Sequence, residues 1–193
     1  MWKVIWFILV VLSIAILGAL VVGIYYNLVR LRREVEDSGS YLDDELEVRI
    51  ILVDNLINTI KKYIGRRNST LKEVVKAKSM LEYAETIQDK WQANNRLTAA
   101  LEELFVLLDD YPDLITSNRF EKLTIELEDN GYLLAEYRYL YNEMAYVYNS
   151  KLQIFPNNAV ASYFGLEDAE YFETEGELSH VKDLDSGPGR GEK

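Results

Sequence analysis

The chain has no cysteine, one histidine and three prolines among its 193 residues. Without cysteine there are no disulfides, thiolate nucleophiles or cysteine-held metals, although the redox compartment stays open. A single imidazole, His180, removes most of the remaining catalytic and metal-binding repertoire. Basic residues are also scarce: 21 Lys and Arg face 32 Asp and Glu, a net charge of −11. That balance argues against a phosphate-tracking nucleic-acid surface, which needs clustered Lys and Arg. More than half of the excess lies beyond Leu166, where nine acids accompany three bases. Period-two alternation is absent throughout, so no strand is expected.

What the sequence does have is one long apolar run. From Val4 to Val29 there is no charged side chain. At about 1.5 Å per residue a helix of roughly 20 apolar residues crosses a bilayer core of ~30 Å, so this run is long enough to span. Trp2 and Trp6 at one end and Tyr25 and Tyr26 at the other suit headgroup depth. A cleaved secretory signal has an apolar region of only ~7–15 residues, and here the run continues past the weak small-residue sites at Ser13–Ala15 and Gly18–Ala19. An uncleaved anchor over residues 1–29 is therefore expected in a cell membrane. Arg30, Arg32 and Arg33 form a basic collar after it, which by the positive-inside rule tilts the bulk of the chain toward the cytoplasm.

Helical periodicity dominates the remainder. Leu42, Leu46, Ile50, Val53, Ile57, Ile60 and Ile64 step by fours and threes, which predicts that the anchor continues as a helix through Ser38–Gly39–Ser40 to a stop at Gly65. Thr70 and Glu73 have capping-box spacing, and no Pro or Gly recurs before Pro112, so a second long helix is predicted over about Leu71–Asp110. Ser117 or Asn118 can cap a third, whose sevenfold series Phe120, Leu127, Leu134, Tyr141, Tyr148 and Phe155 defines a seam ending at Pro156. A short helix over 158–164 can fold back onto the bundle. The expectation is an all-α protein: a transmembrane helix continuing into an antiparallel bundle of three long helices plus a short carboxyl-terminal one over residues 30–165, then an acidic disordered tail over 166–193.

Several segments resemble the LemA family. Tyr26–Asn27–Leu28–Val29–Arg30 begins the likeness, and Leu42–Tyr63 retains Leu46, Arg49, Leu52, Asn55 and Leu56 of a first-helix motif. Thr70–Leu71, Val74 and Ala77 open the second helix in the family manner, and Tyr111–Pro112–Asp113–Leu114 is similar to the family's turn. The densest run is Phe120, Leu123, Leu127, Glu128, Leu134, Arg138, Tyr141–Asn142, Tyr148–Asn149, Phe155–Pro156–Asn157–Asn158, Phe164–Gly165 and Tyr171–Phe172–Glu173. The likeness spans about residues 24–173. Departures occur at Gly39, Glu47, Val48, Ile51, Asp54 and Thr124, and the loss of a family proline at Asp54 suggests a straighter first helix. The resemblance implies a bacterial-type protein with one amino-terminal anchor, a helical domain and no established enzymatic activity.

No catalytic, cofactor-binding or metal-binding residue is expected. Glu102–Glu103 and Asp109–Asp110 read as a solvated helix face, because a di-iron bundle needs Glu-x-x-His pairs that this sequence does not contain. His180 reads as a solvated tail residue. Candidates for interaction or for structural polar roles are Arg49, Asn55, Arg138, Tyr141, Asn142, Tyr148 and Asn149. Arg138 lies five whole turns from Phe120, which leaves two readings open: a buried guanidinium with Glu85 or Glu102 as acceptor, or a rim position with its stem on apolar surface and its head in water; Arg49 poses the same question. Tyr139 and Tyr146 fall on other faces and can be exposed. The partners expected are the lipid bilayer and either a protein partner or a second copy. The function expected is a binding or scaffolding module, which should expose an apolar or aromatic patch; the alternative is a ligand-responsive sensor or accessory subunit, which should carry a pocket of convergent polar groups between helices.

Overall fold

The computed structural model describes residues 1–65 and 68–172. Six helices account for nearly all of it: α1 (Trp2–Ile64), α2 (Ser69–Glu82), α3 (Ile87–Leu108), α4 (Pro112–Ile115), α5 (Asn118–Gln153) and α6 (Asn157–Phe164), with no strand among the described residues. The all-α bundle expected from periodicity is the one observed.

The first third of α1 packs against nothing. Its apolar window has a mean hydropathy of 3.0 and is 0% buried, so it is long and apolar enough to cross a membrane and carries no surface that a protein core covers. The helix continues unbroken through Gly39, where a Cβ would stand 3.5 Å from the Tyr141 ring, an ordinary contact. It ends at Gly65, whose φ of 76° is a conformation that side chains with a Cβ avoid.

Leu28, Leu31, Val35, Leu42, Leu46, Val53, Leu56 and Ile60 form the buried stripe of α1. The stripe sits one position away from part of the predicted one: Ile50, Ile57 and Ile64 flank the core, and Arg49 takes a core position. α5 runs antiparallel to α1, with Tyr141 beside Gly39 and Asn130 beside Glu45 and Arg49. On α5 the predicted seam is buried from Phe120 to Tyr148, but Phe155 lies outside it and is exposed.

The predicted second helix over Leu71–Asp110 is two helices. The chain turns at Tyr83–Thr86 without glycine or proline, because Thr86 caps α3: its Oγ1 accepts the Asp89 backbone N–H at 3.1 Å. Asn68, not Thr70, caps α2, its Oδ1 accepting from the Leu71 N–H at 3.2 Å. α2 and α3 thus form a hairpin. Lys78 ties α2 to α1 through Asp54 at 3.0 Å while also meeting Glu82 at 3.0 Å. Burial opposes its charge, but the bonds to Glu82 and Asp54 outweigh that and raise its pKa. α3 then runs parallel to α1, with Lys90 bonded to Asp43 and Thr98 to Arg49.

Residues 166–172 do not behave as the tail expected from Leu166 onward. Residues 166–172 leave α6 as an extended strap along α5, where Leu166, Ala169 and Tyr171 pack on the core and Phe172 is fully buried. The rest of the predicted tail, with His180, lies outside the described residues.

Candidate functional site

The α1–α5 pair and the α2–α3 hairpin meet along α1, leaving a groove between α3 and α5. The groove encloses about 300 Å³ and is lined by Arg49 of α1, by Trp91, Asn94, Asn95 and Thr98 of α3, and by the α5 turns from Gly131 to Arg138. Periodicity explains how α3 and α5 deliver these groups. Asn94 lies between Trp91 and Leu97 on the buried side of α3, and Asn130 lies between Leu127 and Leu134 on that of α5.

Arg49 forms the floor and is 6% exposed. Its Nη1 donates to Asn130 Oδ1 at 3.1 Å and its Nη2 to Thr98 Oγ1 at 3.0 Å, while Nε has no acceptor. No carboxylate pairs with it among the described residues. Glu45 is engaged one bond away, its backbone carbonyl and Oε1 accepting from Asn130 Nδ2 at 3.0 and 2.8 Å. Burial pushes the guanidinium down to about 10, so it stays charged at neutral pH.

Two further buried groups in the wall lack partners. Trp91, 8% exposed, leaves its Nε1–H without an acceptor, and Asn94, 4% exposed, leaves Oδ1 without a donor. Buried polar groups are ordinarily satisfied, so three unpaired atoms shielded behind one groove are an unusual concentration. Arg138 is half-buried, its guanidinium carbon 5.5 Å from the Trp91 ring centroid, a cation–π distance. Glu85 and Glu102 are exposed, and so are Glu103, Asp109 and Asp110.

The strap closes one end of this region. Asn149 Oδ1 accepts the Ala169 N–H and its Nδ2 donates to the Ala169 carbonyl, both at 2.8 Å. Seven residues earlier Asn142 does the same to Phe172, at 2.9 and 3.0 Å. Each amide reads one backbone unit of an extended chain. Phe172 fits between Tyr141, 4.4 Å away by ring centroids, and Trp91, 5.8 Å away. Burial raises the pKa of Tyr141, with Glu170 adding to it. Tyr148 is buried beneath the strap with its hydroxyl unpaired, and burial raises its pKa too.

Of the seven candidates, Arg49 and Arg138 line the groove, while Tyr141, Asn142, Tyr148 and Asn149 hold the strap. Asn55 is half-buried elsewhere on α1, where its carbonyl accepts from Thr59. Sequence reasoning missed Asn94, Thr98, Asn130 and Glu45. The signal was present as polar residues at positions where the three-four spacing calls for apolar ones.

No curated protein matches the chain. Residues 39–183 match the LemA family, which covers most of the bundle, both groove arginines and both strap asparagines. The chain therefore belongs to the LemA family.

Proposed function

We propose that this LemA-family protein is a membrane-anchored, non-catalytic ligand-binding module, its groove receiving a small oxyanion and its bundle on the cytoplasmic side as the arginine collar directs. The observation that carries the reading is Arg49: a buried cation without a carboxylate partner among the described residues, at the floor of a groove lined by Trp91, Asn94, Asn95 and Thr98. A buried charge is costly unless paired, and an anion supplies the missing partner. Arg, Asn, Thr and Trp hold fixed charges and dipoles at neutral pH, so the groove can bind and orient but has no group suited to shuttling protons.

Thermal unfolding of the full chain in lipid nanodiscs tests this. Sodium glycolate, malonate and phosphate are compared with sodium chloride at equal ionic strength. Ligand at 100 times its Kd stabilises by about 2.7 kcal/mol, and the shift should vanish in Arg49→Met. A melting temperature that follows ionic strength alone removes the reading.

A scaffolding role is favoured by a separate observation. Ile125, Tyr132, Tyr139 and Tyr146, seven residues apart, are exposed on α5, flanked by Glu121, Glu128, Glu136 and Glu143. Such an acid-edged stripe suits an amphipathic helix with basic margins. A photoreactive residue at Tyr139 should then crosslink a partner that one at Glu103 does not; equal yields from both positions would dismiss the stripe.

A further inference from the structure

Large apolar side chains lie uncovered at the end of the bundle nearest the anchor. Phe155 is 80% exposed and Tyr163 84%, with Ile154 and Phe164 also exposed beside them. Single exposed hydrophobics are ordinary, but a cluster at one end of a molecule is not.

The register of α5 on α1 sets their height. Tyr141 lies beside Gly39, and Tyr148 lies close enough to Arg32 and Glu36 to feel their charges. The pairing continues to the end of α5 at Gln153, level with Asn27, and Phe155 follows in the turn just beyond it. Independently, α6 reaches the same level: Phe164 packs on Tyr25 at 4.5 Å between ring centroids and on Tyr163 at 5.0 Å. α6 turns Val160 and Ala161 into the bundle, which leaves Tyr163 facing away from it. Tyr25 and Tyr26 mark the end of the uncharged run, where the anchor leaves the hydrocarbon.

We propose that the corner between α5 and α6 is a membrane foot: Phe155, Tyr163 and Phe164 sit in the headgroup boundary of the leaflet from which α1 emerges. Aromatic rings with one apolar and one polar end suit that layer. The occupant is the bilayer itself, because these rings continue the aromatic band of the anchor and stand at its depth. Arg30, Arg33 and Lys151 are exposed nearby and suit the headgroups. Glu167 and Asp168 begin the strap, which leads back along α5 toward Asn142 and away from the boundary. The bundle then stands on two supports, α1 and the foot, and holds Arg49 about 30 Å above the membrane along α1. This inference is independent of what the groove binds.

The chain has no cysteine, so single labels report depth cleanly. Cysteines replacing Tyr163, Phe155 and, as a distal control, Tyr83 are labelled with an environment-sensitive fluorophore in the full chain. The protein is reconstituted in phosphatidylcholine vesicles with and without lipids brominated in the upper acyl chain. Labels at Tyr163 and Phe155 are expected to be quenched like one at Tyr26, while the label at Tyr83, itself 79% exposed, is not. A label at exposed Ser162 guards against the fluorophore seeking lipid by itself: its quenching should fall when Phe155 and Tyr163 are both serine. Labels at Tyr163 and Phe155 behaving like that at Tyr83, or Ser162 quenching unchanged by the two serines, would overturn the foot.

Discussion

Replacing Arg49 by methionine removes the charge from the groove while keeping a long side chain. In the ligand-free protein two opposing effects set the outcome. Burial pushes the pKa of this 6%-exposed guanidinium well down from the ordinary arginine range, to about 10. At 1.36 kcal/mol per unit, that disfavours the charged form by roughly 3 kcal/mol. Against this stand two hydrogen bonds from a charged donor, to Asn130 and Thr98, at ~1.5–3 kcal/mol each. After the substitution Thr98 can turn its hydroxyl elsewhere, and Asn130 keeps its bonds to Glu45. The terms nearly offset, so Arg49→Met should change stability by less than ~2 kcal/mol, at about 4 °C per kcal/mol in a domain of this size. The comparison that gives the number meaning is a buried ion pair, where removing one partner strands the other at a cost of ~3–5 kcal/mol. Thermal melts of the full chain in nanodiscs, without added oxyanion, separate the cases. A loss of 3 kcal/mol or more would mean that the fold depends on the charge of Arg49, and the case for a ligand as its missing partner would fall.

Tyr148→Phe removes a buried hydroxyl that has no partner, so it should be neutral or stabilising by up to ~2 kcal/mol in the same melts; a clear loss would show that the hydroxyl is bonded. Asn149→Ala removes both bonds to Ala169, ~1–3 kcal/mol in all, and should speed amide exchange over residues 166–172 far more than in α1 or α5. Unchanged exchange at Ala169 would mean that Phe172 alone fixes the strap. Alkaline pH should destabilise the bundle. The Lys78 pKa lies above its ordinary 10.5 in the folded state, so its stabilising contribution is complete below that value and is lost as pH rises through the folded one. Buried Tyr141 and Tyr148 act in the same direction above about pH 10, since an unfolded chain ionises them first. Lys78→Met should therefore flatten the fall of melting temperature above pH 10, and an unaltered slope would clear Lys78 of a role.

The long apolar start of α1, its continuation past Gly39, the buried stretch of α5 and the short α6 are legible because each rests on apolar periodicity or run length, which a single sequence displays directly. The α2–α3 turn was hidden because it uses no glycine or proline; Thr86 and Asp89 were its mark, and they sit in a stretch whose apolar spacing reads as continuous. Arg49 was legible as a question only. Periodicity placed it within the apolar arc, but the acceptors that answer the question, Asn130 and Thr98, come from helices 81 and 49 residues away. The strap was misread because Glu167, Asp168 and Glu170 give it the composition of a disordered tail, whereas its backbone is held by two asparagines on another element and by one phenylalanine.

Trp91 permits the most direct test of the central claim, that the groove binds a small oxyanion. It is one of three tryptophans, and Trp2→Phe with Trp6→Phe leaves it as the sole reporter, its indole in the groove wall. Glycolate and phosphate are titrated into this full-length variant in nanodiscs at constant ionic strength while Trp91 emission is followed. The account predicts a saturable change that Arg49→Met abolishes. Emission that stays flat, or an identical curve in Arg49→Met, would contradict it.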